Sequence, residues 1–305
     1  MKNILITGGL GFIGSALTKR LHNKYPDYKL IVVDNNEDHH RLDEIKDNIK
    51  IYSYDICEQR LIDKLFELYT FDGVFHLASK KPIVNEEYKG TEFIKTNVLG
   101  TSLILNNCVK HNSRLLYTSN TEVYGSLEMD KRTHLYETNC YNPSTPYAAS
   151  KASADHLITS YHEKYGLDTL IANISNTYGP GQDDGDFMSI IIKCLLNNES
   201  IPVYGTGENV RDWVYIDDVV DMLDLAYHKG ISGENYNVGG GVLNEPSQHR
   251  LINHLSDIGG HDLRHSVNYD KSTLRLRWKP KTLIEMGINE TIKWHIDKNG
   301  INDII

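Results

Sequence analysis

Residues 3–16, NILITGGLGFIGSA, place a short apolar strand before a glycine turn and the start of a helix. Gly8, Gly11 and Gly14 in this stretch have the spacing G-x-x-G-x-x-G. Glycine tolerates the positive φ of a tight turn, lets the backbone approach a pyrophosphate and lets the helix pack closely on the sheet. The free N–H groups at the start of the helix then bind phosphate. The stretch therefore predicts a dinucleotide-binding strand–turn–helix unit.

A carboxylate follows at the distance expected for such a unit. Asp34 ends the second apolar run, KLIVVD (29–34), about 20 residues after Gly14. A carboxylate there accepts hydrogen bonds from the adenosine ribose hydroxyls and repels a 2′-phosphate, which favours NAD over NADP. Asp55 and Ile56 follow the third strand and are placed to meet the adenine, although a strand-end aspartate is also common in ordinary loops. NAD is the predicted cofactor.

Short apolar runs alternate with amphipathic segments through the first half of the chain. Most of these runs are apolar nearly throughout, which is typical of strands covered on both faces by helices. The alternation predicts an α/β fold with a Rossmann-like, doubly wound parallel sheet. We predict strands at 3–7, 29–34, 49–55, 72–79, 114–119 and 168–175, and helices at 12–24, 58–69, 91–111 and 147–165.

The second half is less regular and richer in loops. We predict a helix at 187–198, a strand, a loop and a helix within 201–228, and a last helix near 282–297. We therefore expect an NAD-binding Rossmann domain over 1–175 that includes the catalytic helix. A smaller, mainly substrate-binding lobe over 176–305 would be fused to it.

Tyr147 and Lys151 lie four residues apart in STPYAASKASADH (144–156), on one face of a helix that Pro146 opens. A nearby ammonium favours the phenolate, so we expect Lys151 to lower the pKa of the Tyr147 phenol. Such a tyrosine exchanges the proton of a sugar hydroxyl while hydride moves to nicotinamide. The pattern alone is weak, because Tyr25 and Lys29 repeat it outside a helix.

Composition excludes several other classes of function. The chain has 305 residues and a formal net charge of −9, which argues against broad binding to nucleic acid or to anionic membranes. The four cysteines form no C-x-x-C pair and the 14 histidines form no H-E-x-x-H motif, so no disulfide framework and no metal site are predicted. The N-terminus does not resemble a signal peptide, and no long apolar run occurs. We expect a soluble, cytoplasmic protein.

Together these motifs resemble the extended short-chain dehydrogenases that act on nucleotide sugars, of the NAD-dependent epimerase/dehydratase family. The likeness spans nearly the whole chain, and its second half is most similar to dTDP-glucose 4,6-dehydratases. The segments that carry it are GGLGFIG, Asp34, HLAS (76–79), SNTEVYG, YAASK, NTYGP (176–180), RDWVYIDD (211–218), ENYNVGG (234–240) and GHDLRHSVNYD (260–270).

The resemblance implies a bilobal enzyme that holds NAD tightly, oxidises a nucleoside-diphosphate sugar at C4 and forms a homodimer through the helices near 91–111 and 147–165. Tyr147 would be the active-site base, and Lys151 would position the nicotinamide ribose. Asn176 and Arg211 would contact the substrate diphosphate or its neighbours, and Arg264 would face the nucleotide. The implied dinucleotide contacts are Gly8, Gly11, Phe12, Ile13, Gly14, Asp34, Asp55, Ile56, Leu77, Ala78, Thr118, Tyr147 and Lys151.

The turn SNTEVYG (119–125) departs from the dehydratase pattern Ser-Thr-Asp-Glu-Val-Tyr-Gly. In that pattern the Thr holds the C4 oxygen, the Asp protonates the departing C6 hydroxyl and the Glu removes the C5 proton. Here Asn120 stands in place of the Thr and can still donate a hydrogen bond. Thr121 replaces the acid, and its hydroxyl is far too weak an acid to protonate a leaving group. Glu122 is retained.

Three enzymatic interpretations of this turn stay open. The chain could be a 4,6-dehydratase that eliminates water with another donor. It could instead relocate hydride from C4 to C6 of an unsaturated sugar, with Glu122 delivering a proton at C5. It could also be a C4 epimerase or a decarboxylating synthase, for which Lys80 and Lys81 would supply a cation unless they are a solvated surface pair. A non-catalytic NAD-binding regulator would need neither Tyr147 nor Glu122.

Overall fold

The computed structural model describes residues 2–82, 90–128, 133–241, 252–255 and 262–299. Its strands are β1 (Lys2–Thr7), β2 (Tyr28–Asp34), β3 (Lys50–Ser53), β4 (Gly73–His76), β5 (Arg114–Asn120), β6 (Thr169–Ile174), β7 (Asn176–Tyr178), β8 (Ile201–Tyr204), β9 (Trp213–Tyr215), β10 (Asn235–Val238) and β11 (Ile252–Leu255). Seven of them form one parallel sheet of order β10-β6-β5-β4-β1-β2-β3. The remaining strands pair in parallel as β7 with β9 and β8 with β11.

Helices cover both faces of the large sheet. They are α1 (Phe12–Lys24), α2 (Gln59–Leu68), α3 (Gly90–Phe93), α4 (Thr101–His111), α5 (Pro146–Tyr165), α6 (Phe187–Leu196), α7 (Ile216–Lys229), α8 (Asp270–Leu276) and α9 (Ile284–Asn299). Short 3₁₀ turns occupy His40–Leu42, Lys46–Asn48 and Thr121–Tyr124, and a π-helical segment, Ile94–Gly100, joins α3 to α4.

The continuous apolar character of the strands explains the two-sided packing. Successive residues of a strand point to opposite faces, so a strand buried on both sides needs apolar residues at every position. Ile4 and Ile6 of β1 lie in the core that contains side chains of α1 and α7. Leu5 lies in the opposite core, with side chains of α2 and α4. The predicted doubly wound α/β fold is confirmed.

Several observed elements differ from the predicted ones. Strands β3 and β4 end earlier than predicted, and after β4 residues 77–79 leave the sheet and line a cleft at its edge. The predicted helix 91–111 contains the π-helical segment around the buried Asn97. The Asn97 amide accepts from the backbone N–H of Lys80 at 2.7 Å and donates to the Ser150 hydroxyl at 2.9 Å. A π-helical segment is often associated with a functional site, and this one fixes the neighbouring cleft wall.

The second half of the chain returns to the large sheet. β10 extends it beyond β6 with the register Asn235↔Ile171 to Val238↔Ile174, and α7 packs against α1. The sequence did not predict β10 as a strand. Because β10 belongs to the large sheet, that sheet includes residues beyond 175. Within the described ranges, no helix has both the length and the apolar character needed to cross a membrane.

Candidate active site

A cleft of about 650 Å³ lies at the carboxyl ends of the parallel strands, at the neighbouring strands β1 and β4, where the strand order reverses. This is the position at which doubly wound sheets bind ligands. Every residue predicted to contact the dinucleotide lines this cleft. These residues are Gly8, Gly11, Phe12, Ile13, Gly14, Asp34, Asp55, Ile56, Leu77, Ala78, Thr118, Tyr147 and Lys151.

The glycine turn leaves no room for side chains at two of its positions. Gly8 has φ +70°, and a Cβ there would lie 2.6 Å from the backbone nitrogen of Ala78. A Cβ on Gly14 would lie 2.0 Å from the carbonyl oxygen of Gly8. The turn is therefore packed backbone to backbone, as a cradle for a pyrophosphate at the start of α1 requires.

Asp34 is held by the backbone around it. Its Oδ2 accepts from the N–H of Leu10 at 2.9 Å, and its Oδ1 accepts from the N–H of Asn36 at 3.0 Å. Each carboxylate oxygen can accept a further hydrogen bond. The side chain is therefore fixed at the cleft wall in an orientation suited to a ribose diol.

Helix α5 presents Tyr147 and Lys151 to the cleft. The Thr145 hydroxyl caps the helix by accepting from the N–H of Ala148 at 3.1 Å, and Pro146 occupies the first turn. Lys151 is buried, and its ammonium donates to the carbonyl oxygen of Thr118 at 2.7 Å. The same ammonium lies 4.2 Å from the ring centre of Tyr117, within the range of a cation–π contact.

The expected effect of Lys151 on the Tyr147 phenol is not found. Burial raises the pKa of Tyr147, and the negative charge of Glu122 acts in the same direction. Hydrogen bonding with Asn120 and Ser79 lowers the pKa but only partly offsets the rise. Lys151 is not among the groups that shift the pKa of the phenol, and its ammonium donates instead to the Thr118 carbonyl of β5. The phenol is therefore neutral in the protein alone.

The turn after β5 separates the three polar residues 120–122. The side-chain oxygen Oδ1 of Asn120 accepts from the backbone N–H of Glu122 at 2.7 Å and caps the 3₁₀ turn. Asn120 and Glu122 line the cleft. Thr121 is 3% exposed and does not line it. The structure therefore brings Asn120 and Glu122 to Tyr147 but directs Thr121 into the protein.

Of the predicted substrate residues, Asn176, Lys80 and Lys81 line the cleft. The Lys81 ammonium lies between two carboxylates, at 2.7 Å from Asp183 Oδ2 and 2.8 Å from Asp186 Oδ1. Lys80 is 3.6 Å from a carboxylate oxygen of Glu92. Both lysines therefore already have acidic partners.

The two predicted arginines lie outside the cleft lining. Arg211 is largely buried, donates to its neighbour's carbonyl, Val210 O, at 3.0 Å, and faces the negative charges of Glu122 and Asp262. Burial lowers the pKa of the Arg211 guanidinium, and those two charges oppose the shift. Arg264 donates to the carbonyl of Thr133 at 2.8 Å. Arg211 thus approaches the site from the side of Glu122.

The cleft lining also contains residues that were not predicted as site residues, among them Ser79, Arg41 and Asp183. Ser79 bonds the Tyr147 phenol and lies in the quoted HLAS segment, which was the only signal for it. Arg41 and Asp183 pair in the cleft lining at 2.6 Å, and Arg41 also donates to the Gly181 carbonyl at 3.2 Å. They are 142 residues apart in the chain. No local sequence pattern indicates such a pair.

The described residues contain no cluster of three or more His, Cys, Asp or Glu side chains arranged to hold a metal ion. The cleft instead combines a glycine turn at a helix N-terminus, an oriented strand-end carboxylate and a buried Tyr-x-x-x-Lys helix. These features define an enzyme of the extended short-chain dehydrogenase class, which performs hydride chemistry on hydroxyl-bearing substrates.

The comparisons with known proteins narrow this class. The model of the NAD dependent epimerase/dehydratase family matches residues 4–239, and the chain belongs to that family. A dTDP-glucose 4,6-dehydratase of Haemophilus influenzae is 33% identical over 97% of this chain and 98% of its own length.

Two solved structures are similar over almost the whole chain. The dTDP-glucose 4,6-dehydratase of Bacillus anthracis in complex with NAD has a TM-score of 0.89 at 31% identity, covering 99% of this chain and 98% of that one. The UDP-glucose 4-epimerase of Thermotoga maritima with UDP-glucose has a TM-score of 0.89 at 28% identity, covering 97% and 99%. The fold is thus shared with both a dehydratase and an epimerase.

Proposed function

We propose that this chain holds NAD in the cleft and modifies a nucleoside-diphosphate sugar through a 4-keto intermediate, with Glu122 exchanging a proton at C5. The proposal rests on the family, on relatives that are dTDP-glucose 4,6-dehydratases, and on the joint position of Tyr147 and Glu122 in one cleft. The observation that carries the C5 assignment is that Glu122 lines this cleft whereas Thr121 does not.

The residues present fit NAD. The packed glycine turn would hold the pyrophosphate, the oriented Asp34 would accept from the ribose hydroxyls, and Asp55 with Ile56 would meet the adenine. Lys151 would bind the nicotinamide ribose. Oxidised NAD, if bound in this cleft, would supply a hydride acceptor, and its positive charge would favour the phenolate of Tyr147.

Tyr147 takes the proton of the C4 hydroxyl as C4 is oxidised, and it returns that proton when the ketone is reduced. Asn120 and Ser79 bond the same phenol, so they hold it in position and stabilise the phenolate. The C4 ketone makes the C5 hydrogen acidic. Glu122, in the same cleft, removes or delivers that proton.

The buried Thr121 distinguishes the possible outcomes after C5 is deprotonated. Its hydroxyl is too weak an acid to protonate a departing C6 hydroxyl, and it does not line the cleft. The arrangement favours protonation at C5, including relocation of hydride from C4 to C6 of an unsaturated sugar, over loss of water. A decarboxylating synthase is less well supported, because the lysines proposed for a sugar carboxylate already face acidic partners.

A C4 epimerase is the second candidate. A UDP-glucose 4-epimerase is among the similar structures, and epimerisation at C4 needs Tyr147 but not Glu122. A non-catalytic regulator would leave unexplained why Tyr147, Lys151 and Glu122 are brought to one cleft. Exchange of the C5 hydrogen therefore separates the proposed enzyme from both alternatives.

We assign residues 176–305 mainly to binding of the nucleotide sugar. Asn176 lines the cleft, and the Arg211 guanidinium approaches it beside Glu122. A planar guanidinium suits a diphosphate, so Arg211 would bind that group and Arg264 would lie nearer the nucleoside.

A homodimer is the proposed assembly. The segment joining α3 and α4 presents Ile94 and Leu99 at 50% and 49% exposure, and α5 presents Tyr165. Exposed apolar side chains on adjacent helices are typical of subunit interfaces. Light scattering on the purified protein, which gives the mass of the particle in solution, tests this assignment.

The chemistry is tested by incubating the protein with saturated UDP- and dTDP-hexoses in heavy water. We expect incorporation of deuterium at C5, measured by proton NMR, without loss of the mass of one water molecule, measured by mass spectrometry. Glu122→Gln should lose at least about a hundredfold in C5 exchange, the usual range for a general base, while still reducing bound NAD. Thr121→Ala serves as the matched control and should exchange like the native protein.

Rapid loss of a water mass from a saturated hexose, undiminished in Thr121→Ala, would contradict the proposal and favour a 4,6-dehydratase with another proton donor. Inversion at C4 without deuterium at C5 would favour the epimerase.

A further inference from the structure

Asp155 is a buried carboxylate that the proposed mechanism does not use. It lies one helical turn after Lys151 on α5 and is 1% exposed, while Lys151 is 3% exposed. An isolated charge in such surroundings is strongly unfavourable, so buried ions are held in pairs or in hydrogen-bond networks. Two groups of opposite charge are therefore buried near each other, Lys151 at the cleft wall and Asp155 behind it.

Three side chains from different elements converge on Asp155. Its Oδ2 accepts from the Ser119 hydroxyl of β5 at 2.8 Å and from the Tyr141 phenol at 2.9 Å. The Asn173 amide of β6 approaches the same oxygen at 3.4 Å. Its Oδ1 is buried and has no hydrogen-bond partner among the described residues. One carboxylate thus joins α5 to β5 and β6.

Lys151 and Asp155 contact two consecutive residues at the end of β5. Lys151 donates to the carbonyl oxygen of Thr118, and Asp155 accepts from the side chain of the next residue, Ser119. Asn120 follows directly and bonds both Tyr147 and the Glu122 backbone. The helix that carries the phenol and the strand that carries Asn120 are therefore held in register by this pair.

The other titratable groups around Lys151 do not neutralise its charge. Burial and the charge of Lys151 itself lower the pKa of His76, which closes the β4 side, to about 3, so that imidazole is neutral. Tyr117 offers its ring face, and burial raises the pKa of its phenol. Tyr124 and Tyr141, on the other side of Asp155, are also neutral, because burial raises their pKa values.

We propose that Asp155 is a positioning residue that keeps the Lys151 ammonium charged in the closed interior and holds helix α5 in register with the end of β5. The inference rests on the proposed function, in which a charged Lys151 binds the dinucleotide ribose beside Tyr147. Asp155 contacts neither substrate nor dinucleotide in this assignment and acts through Lys151 and Ser119.

The titration directions of the pair agree with this role. Burial lowers the pKa of Lys151, and the negative charge of Asp155 is the group that opposes this shift. Burial raises the pKa of Asp155, and the Ser119 hydroxyl and the Lys151 charge oppose that shift. Both ions are present together only between the two pKa values. Removing the Asp155 charge therefore lowers the pKa of Lys151 further.

The test is the pH profile of substrate-driven reduction of the bound dinucleotide in Asp155→Asn, measured in single turnovers. We expect the alkaline limb to move to lower pH by about one unit or more, since a buried counter-charge is lost. The Cε resonance of Lys151 in protein labelled with ¹³C-lysine should show the same shift without substrate. Asp155→Glu, which keeps the charge, should restore the native limb.

Asp224→Asn is the matched control, because Asp224 is also buried and pairs with a lysine, Lys24, away from the cleft. It should leave the limb in place. If Asp155→Asn does not fold, Tyr141→Phe tests the same pair. Loss of that hydrogen bond raises the pKa of Asp155 and should move the acid limb to higher pH.

The outcomes separate this inference from the proposed function. An unchanged alkaline limb and an unchanged Lys151 resonance in Asp155→Asn, or an unmoved acid limb in Tyr141→Phe, would overturn the inference. Full turnover by Lys151→Met would instead overturn the role given to Lys151 in the proposed function.

Discussion

The Tyr147 phenol lies among Asn120, Ser79 and Glu122, and each acts on its ionisation. The spacing of Tyr147 and Lys151 was enough to predict that both lie in one cleft. It was not enough to predict the sign of the pKa shift of Tyr147. That sign depends on the burial of the phenol and on a carboxylate 25 residues earlier, which a local motif does not reveal.

At this scale we predict that Tyr147→Phe abolishes reduction of bound NAD by substrate. Nucleotide-sugar binding should stay within about tenfold, because only one hydroxyl is lost and the ring shape is kept. Absorbance in the reduced-nicotinamide band measures the first effect, and titration calorimetry measures the second. Tyr25→Phe is the control, since Tyr25 and Lys29 have the same spacing but lie at the end of α1 and in β2. Retained turnover in Tyr147→Phe would refute the assignment.

A local motif also does not reveal which way each side chain points or which distant side chains lie beside it. This explains why Thr121 was misplaced and Ser79 was missed. Position within a motif grouped Thr121 with Glu122, yet a 3₁₀ turn points neighbouring side chains in different directions, and only Glu122 meets the cleft. Ser79 was inside a recognised segment but had no chemical reason to be chosen until the Tyr147 phenol was found beside it.

At the scale of elements, the glycine turn depends on the absence of Cβ atoms. Gly14→Ala would place a methyl carbon 2.0 Å from the Gly8 carbonyl, so the turn must open. We predict that this variant retains less than a tenth of the bound dinucleotide after purification, because a displaced turn no longer presents its N–H groups to the pyrophosphate.

The measurement is the dinucleotide released by denaturing the variant, relative to protein. Gly90→Ala is the matched control, since a Cβ there has its nearest heavy atom at 3.9 Å. Native dinucleotide content in Gly14→Ala would contradict the assignment of the turn.

Elements defined by continuous apolar runs were predictable, because burial on both faces leaves a local signature. β10 was missed for the opposite reason. Its four residues, NYNV, include two asparagines, and the buried Asn237 accepts from the Tyr124 phenol at 2.9 Å. A strand whose polar residues are satisfied by distant partners carries little local signal.

At the scale of the whole molecule, α1 and α7 join the beginning of the chain to its second half. Asp224 of α7 is buried and accepts from Lys24 and from the Tyr25 phenol. Hydrogen bonds from His228, Lys24 and Tyr25 lower the pKa of Asp224 to about 2, although burial opposes them. The carboxylate is therefore more acidic in the folded chain than in the unfolded one.

The sign of the pH dependence follows from this lowered pKa. The contribution of Asp224 to the free energy of unfolding is complete above pH 4, near the ordinary pKa of an aspartate, and disappears as the pH falls toward 2. We predict that Asp224→Asn is less stable than the native protein at pH 7 and that the difference shrinks below pH 4. Urea unfolding of both proteins between pH 7 and pH 3 measures it. A difference that stays constant over this range would exclude the ionised pair as its source.

Arg41 and Lys81 both form ion pairs with Asp183. The position of these pairs bears on the source of the electrons used in the reaction. These three residues line the cleft that would hold NAD, and a dinucleotide retained there would give each hydride back to the sugar from which it came. Such a catalyst draws nothing from the cell's pool of reducing equivalents and is indifferent to the ratio of reduced to oxidised cofactor around it. Such an enzyme is inactivated when the keto intermediate dissociates before it is reduced, because the bound dinucleotide then stays in the reduced form.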